Sequence, residues 1–260
     1  MSQVRKLWPL LTATHRYDKS LSTRNRGAGT VIEAPILAYL IETANGRILY
    51  DVGCDYAKIA DPAQRARWYD PDVFAFGAPD MQESQRLPHH LDRLGLRPED
   101  IDVVFIGHLH FDHAGGLRDV ANCEIHIQYD ELQAARSGED IAYFPDDFSG
   151  DYQFNVKRGE YELVPGVRAV SSPGHTAGHM SLFIELPKGA PVILCGDAAD
   201  LTENLRDEIA PGLCWRDDES RALDSIRKLK RLSDDEGAEL WPNHDIDFWG
   251  RLRKFPQFHE

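Results

Sequence analysis

The 260-residue sequence predicts an α/β fold in one domain spanning 1–260. Three observations carry that expectation. Apolar, β-branched segments alternate with segments of helical periodicity. No linker or shift of composition divides the chain. Its 42% hydrophobic and 28% charged residues are ordinary for a folded chain long enough to bury a sizeable core.

Taken in order, APILAYLIET and RILYDVG read as strands joined through Asn45-Gly46, a tight hairpin turn. The polar, proline-containing stretch 55–88 holds an aromatic cluster, WYDPDVFAF, expected to cap a pocket. HHLDRLGLRPEDID carries a short helix ending near Gly95, and the strand VVFIGH follows it. EIHIQ reads as a strand and DELQAARS as a helix. YELVPGVRAVSSPGH, HMSLFIEL and PVILCGDAAD supply further strands. Ala222, Ile226, Leu229 and Leu232 recur at helical spacing, with Arg227, Lys228, Lys230 and Arg231 on the solvated side. The segment AYFPDDFSGDYQF, with Phe144, Phe148, Tyr152 and Phe154, is expected to act as a lid over a pocket.

The net charge of −14 argues against nucleic acid and anionic membrane surfaces as partners, since both are bound through clustered Lys and Arg. The four cysteines at 54, 123, 195 and 214 have no CxxC spacing and no density suggesting a disulfide framework. RKLWPLL is too short for a signal peptide and contains Pro9, and no apolar run approaches a membrane span. A reduced, cytoplasmic protein is expected.

The chemistry concentrates in VFIGHLHFDHAGG, where His108, His110, Asp112 and His113 fall within six residues after an apolar run. His175, Asp197 and His244 also follow apolar strands, so all seven can project from strand ends onto one edge of a sheet pair. His108 and His110 share a face of an extended segment, and a turn can aim Asp112 and His113 elsewhere. Imidazole and carboxylate suit zinc or a similar divalent ion, with Mn, Fe and Co as chemical alternatives. Seven such groups exceed what one ion needs. Two ions would use His108, His110 and His175 on one side and Asp112, His113 and His244 on the other, with Asp197 as the bridge. Ala114, Gly115 and Gly116 would let the backbone pass close to such a cluster. His179 is expected to orient a ligand or strand without binding metal. His15, His89, His90, His126 and His259 lack ligand spacing and are expected to be ordinary core or surface residues. Trp68, Tyr69, Phe74, Phe76, Phe144, Phe148 and Trp215 are candidates for an apolar pocket lining.

On HLHFDHAGG, SSPGHTAGHMSLFIE, LCGDAAD and WPNHD, in that order, the chain resembles the metallo-β-lactamase fold superfamily over nearly its whole length. The resemblance implies an αββα sandwich, two mixed sheets flanked by helices, with Asp51 supporting the metal histidines. GHLHFDHAGG, YELVPGVRAVSSPGHTAGHMSLFIE and SIRKLKRL are most similar to the N-acyl homoserine lactonases. NRGAGTVIEAPILAYLIETANGRILYDVG and GAELWPNHDID look like the related 4-pyridoxolactonases. Both groups open lactone rings, which implies a dinuclear hydrolase acting on a small-molecule lactone, with a homodimer as the family's usual assembly. The lactonases usually carry a tyrosine three residues after the bridging aspartate, where this chain has Asp200. Asp112 or Asp200 is therefore the candidate for handling the proton of the departing oxygen. A thioester, phosphoester or β-lactam hydrolase, or a flavo-diiron redox protein, uses the same scaffold. The chain lacks the flavin domain of the last and has only a weak basic stretch, RLRKF, where a glutathione thioesterase holds its substrate.

Overall fold

The computed structural model describes residues 2–120 and 123–260. Strands β1 (Val4–Asp18), β2 (Val31–Thr43), β3 (Gly46–Tyr50), β4 (Val103–Phe105), β5 (Glu124–Gln128) and β6 (Phe154–Lys157) lie side by side in that order. The first two pairings are antiparallel and the next three parallel. Strands β7 (Tyr161–Val164), β8 (Val167–Ser171), β9 (Met180–Ile184), β10 (Val192–Leu194) and β11 (Glu239–Trp241) form the second sheet in the order β11-β10-β9-β8-β7. It too is mixed, with β10 parallel to β11 and the remaining pairs antiparallel.

Alternation along the strands builds three apolar layers, because successive side chains point to opposite faces. Leu37, Tyr39 and Ile41 of β2 meet Leu182 and Ile184 of β9 between the sheets. Ala38 and Leu40, on the other face of β2, pack with Leu91 of helix Leu87–Asp92 and Leu132 of helix Tyr129–Ser137. Phe183 faces outward from β9 onto Ile226 and Leu229 of helix Glu219–Glu236. That helix starts where the Asp218 side chain accepts from the Arg221 backbone N–H and stops at Gly237, left-handed at φ 64°. The result is an αββα sandwich. Among the described residues no helix is long and apolar enough to cross a membrane.

Two expectations change. The 15-residue strand β1 went unpredicted because Pro9 interrupts its β pattern; β1 is an edge strand, where a residue without an N–H is tolerated. The expected lid at 142–154 is mainly packing: Phe144 and Phe148 are buried, Tyr152 leans on the outer core, and Phe154 begins β6. Aromatic composition suits a core as well as a gate, and here burial decided.

Gly115 and Gly116 allow a different close approach from the one expected. A Cβ at Gly116 would stand 2.1 Å from the Val52 carbonyl oxygen, and one at Gly115 2.4 Å from the Asp55 nitrogen. The glycines thus seat the turn after His113 against the loop that follows β3. Because the obstacle is backbone, Gly116→Ala is expected to cost about 3 kcal/mol or more of stability, read from chemical denaturation midpoints.

Candidate metal centre

The sheet topology brings the seven residues together. β4 delivers Gly107 and His108 at its C-terminal end, His110 precedes the short helix Phe111–Ala114, and His113 lies inside it. β8 and β10 both run antiparallel to β9, and β11 parallels β10, so the C-terminal ends of β8, β10 and β11 share one edge. His175, Asp197 and His244 follow those ends.

Asp197 stands at the centre and its two oxygens face different partners. Oδ2 lies 3.7 Å from His108 Nε2 and 3.5 Å from His175 Nε2, and His175 Nε2 is 3.0 Å from His110 Nδ1. Oδ1 lies 3.2 Å from both His113 Nε2 and His244 Nε2, and His244 Nε2 is also 3.3 Å from Oδ2, so it stands between the two oxygens. Asp112 Oδ2 completes that second side at 3.7 Å from the same two nitrogens. Two compact groups of potential ligands, His108/His110/His175 and Asp112/His113/His244, flank Asp197, which itself forms compact groups with His108 and His113 and with Asp200 and His244.

The residues fit divalent ions on two grounds. Both ring nitrogens of His108 and Nε2 of His113 are buried without a hydrogen-bond partner, a costly state for polar atoms unless something else meets them. The outer nitrogens of the other rings are anchored as those of metal-binding imidazoles usually are. His113 Nδ1 meets Asp51 Oδ2 at 2.8 Å, His110 Nε2 meets Asp140 Oδ2 at 3.2 Å, and His244 Nδ1 meets the Pro35 carbonyl at 2.8 Å. Asp51 sits in the left-handed region at φ 56°, and its other oxygen accepts from the Gly107 N–H at 2.8 Å. That contact ties the end of β3 to the start of the histidine motif. His179 accepts from the Asp197 N–H through Nε2 at 2.9 Å and meets Ser172 Oγ through Nδ1 at 2.9 Å, so it aims the central aspartate.

The electrostatics favour cations. Burial pulls His175 down to about 4 and His179 down to about 3, leaving both neutral. Burial opposes a charge on His244 too, yet Asp197 outweighs it and lifts His244 to about 10. For Asp197, burial works against the ionised form, but His113, His244 and His108 hold its carboxyl well below the usual range. Carboxylates that draw protons onto buried imidazoles would draw metal ions in the same way, with protons released on binding.

A cavity of about 380 Å³ opens over this cluster. Its floor is His110, Asp112, His175, Asp197, Asp200 and His244, and its wall is apolar, including Phe74 and Phe111. Leu21, Val73, Phe76, Ile141 and Leu213 line its mouth and are largely exposed. Of the aromatic candidates, only Phe74 and Phe76 line the cavity. Trp68, Tyr69 and Phe144 back it from behind, with Phe144 stacked on Phe111 at 5.0 Å, whereas Phe148 and Trp215 belong to the outer core. His15, expected to be unremarkable, lines the cavity beside Tyr17.

Asp200 is buried at the cavity with Oδ1 unpartnered, and burial followed by the charge of Asp197 pushes its carboxyl up to about 8. Three supporting residues escaped the reading of the sequence. Glu131, Asp140 and Tyr17 arrive from elements remote in the chain, and each looks like an ordinary surface or strand residue in its own segment. Only the apolar spacing around Glu131 in DELQAARS, which places it near the buried side of its helix, carried a signal.

Comparison with known proteins agrees with this geometry. The model of the Metallo-beta-lactamase superfamily matches residues 31–244. An N-acyl homoserine lactonase from Bacillus cereus is 34% identical over 257 residues, covering 98% of this chain and 99% of that protein. AiiA from Bacillus thuringiensis subsp. kurstaki, another N-acyl homoserine lactonase, is 33% identical with the same coverage. A crystal structure of a B. thuringiensis AiiA variant with N-decanoyl-L-homoserine bound at its active site superposes with a TM-score of 0.90, at 32% identity, over 99% of this chain and all of that one. An N-acyl homoserine lactone hydrolase with N-hexanoyl-L-homoserine at its catalytic metal centre superposes at 0.89, with the same identity and coverage. The order of motifs, the two mixed sheets and these matches lead to one conclusion: the chain belongs to the metallo-beta-lactamase superfamily.

Proposed function

We propose that this protein hydrolyses the ring ester of N-acyl homoserine lactones at a pair of divalent ions, acting as one domain over 1–260. The observation that carries the proposal is the central position of Asp197, one oxygen toward His108 and His175, the other toward His113, with His244 close to both. The lactonase relatives and the acyl-homoserine products bound in similar structures support the substrate class.

His108, His110 and His175 would hold one ion, Asp112, His113 and His244 the other, with Asp197 between them. Zinc, or Mn, Fe or Co in the same donor set, supplies a Lewis acid and lowers the pKa of water at such a centre. The protein's own groups do the rest. Asp51 and His179 keep His113 and Asp197 aimed inward. Asp112 is the more exposed carboxylate of the floor and can accept a proton on its outward oxygen. Asp200 holds an unpartnered oxygen at the cavity and can pass a proton toward the departing ring oxygen. The apolar wall accepts the acyl chain and keeps water from it.

The four thiols are unpaired, in keeping with the reducing cytoplasm we propose as its compartment. The homodimer rests on family resemblance and is checked by sedimentation.

Proton release in a pH-stat tests the function. Metal-loaded protein receives hexanoyl and dodecanoyl homoserine lactones, 4-pyridoxolactone, γ-butyrolactone and S-lactoylglutathione in parallel. Each methylene placed on the apolar wall is worth up to about 0.8 kcal/mol, so the acyl substrates are expected to exceed γ-butyrolactone by about a hundredfold or more in kcat/KM. Turnover of the thioester with silence on every lactone overturns the assignment. A preference for 4-pyridoxolactone moves it to the sister group.

A further inference from the structure

Opening a ring ester places negative charge first on the carbonyl oxygen and then on the ring oxygen, and a hydrogen-bond donor aimed at either stabilises the transition state. The cavity offers few such donors. The floor histidines are turned toward Asp197 and toward one another, and the floor carboxylates are acceptors except Asp200, whose carboxyl, pushed up to about 8, keeps a proton it can give. His15 bonds the Gly77 carbonyl through Nε2 at 2.9 Å, so its neutral ring presents only an acceptor at Nδ1.

Tyr17 is different. It comes from β1, lines the cavity together with Asp112, Asp197 and Asp200, and places its hydroxyl 2.9 Å from Ser22 Oγ. Ser22 is fully buried. The Ser22 hydroxyl lies between the phenol and the Asp200 carboxyl, and when it donates to the phenol oxygen the phenol hydrogen points into the cavity. Edge packing fixes the ring, since the centroids of His15 and Tyr17 are 5.5 Å apart at 65°. His15 in turn packs edge-on against Phe111 at 6.4 Å.

We propose that Tyr17 is a substrate-contacting residue whose hydroxyl, positioned by Ser22, donates a hydrogen bond to the lactone oxygen that gains charge. The proton stays on the phenol, so the residue needs no partner to regenerate it. This rests on the lactonase assignment above. It also accounts for how the chain can carry an acid at 200: the phenol reaches the cavity from β1, leaving the loop after Asp197 to Asp200.

The test uses the full-length, metal-loaded protein with hexanoyl and decanoyl homoserine lactones. Tyr17→Phe keeps the ring and removes the donor. It is expected to lower kcat by about 10- to 100-fold, somewhat less than the loss of an oxyanion donor from a fully enclosed site, with KM changed less than about threefold. Metal content by mass spectrometry and the thermal midpoint are expected to stay at the wild-type values. Binding of the product N-hexanoyl-L-homoserine, followed by calorimetry, weakens several-fold. A Tyr17→Phe enzyme within twofold of wild type in kcat, or one whose activity falls only in step with its metal content, overturns the proposal while leaving the lactonase assignment intact. A wild-type enzyme silent on all lactones removes both.

Discussion

Asp197→Asn is expected to abolish hydrolysis, lowering kcat by about a thousandfold or more, and to remove at least one equivalent of bound metal, while the fold persists. The carboxylate presents one oxygen to His113 at 3.2 Å and the other to His108 and His175 at 3.5–3.7 Å, with His244 at 3.2–3.3 Å from both. Asparagine keeps the shape but has a single acceptor oxygen, no charge, and an NH₂ that would point at one of the two sites. Losing several kcal/mol of Lewis-acid stabilisation corresponds to about three decades in rate. The backbone N–H of residue 197 would still donate to His179, so the loop keeps its course. Bound metal, proton release and far-UV circular dichroism measured on one preparation separate a chemical loss from unfolding.

Glu131→Ala is expected to be the most destabilising single change near the site, at about 4 kcal/mol, although Glu131 touches neither the cavity nor a proposed ligand side chain. Its carboxylate is fully buried. Oε1 accepts from the Leu109 N–H and the Tyr143 hydroxyl at 2.9 Å each, and Oε2 accepts from Thr176 Oγ1 at 2.7 Å and the Gly178 N–H at 3.1 Å. Leu109 sits between His108 and His110, and Thr176 adjoins His175. One acid on helix Tyr129–Ser137 therefore clamps two loops from different sheets. Alanine strands four donors in a region without water access. Glu131→Gln keeps two acceptor contacts and is expected to lose about half as much. Urea denaturation of all three proteins reads the difference.

The residues that read out of the sequence are those whose pattern is local. β-branched and aromatic composition on either side of Asn45-Gly46 marked β2 and β3, the glycine at 95 ended a helix, and the stripe from Ala222 to Leu232 turned its apolar side to β9. The dense spacing of His108, His110, Asp112 and His113 marked the site, and the strand ends before His175, Asp197 and His244 fixed which edge they share. What escaped depends on tertiary approach. Pro9 hid an edge strand, Phe148 had the composition of a lid and the surroundings of a core, and Tyr17 and Glu131 matter only because other elements fold against them. Gly116, expected to let the backbone pass close to the metal cluster, makes room for the Val52 carbonyl.

The central claim, lactone hydrolysis that depends on two ions held about Asp197, is tested most directly by titrating metal-free protein with Zn²⁺ and following bound metal and hexanoyl homoserine lactone hydrolysis together. Activity that rises with bound zinc and levels at two equivalents per chain is the predicted result. Full activity without metal, or a plateau reached at one equivalent, would contradict it.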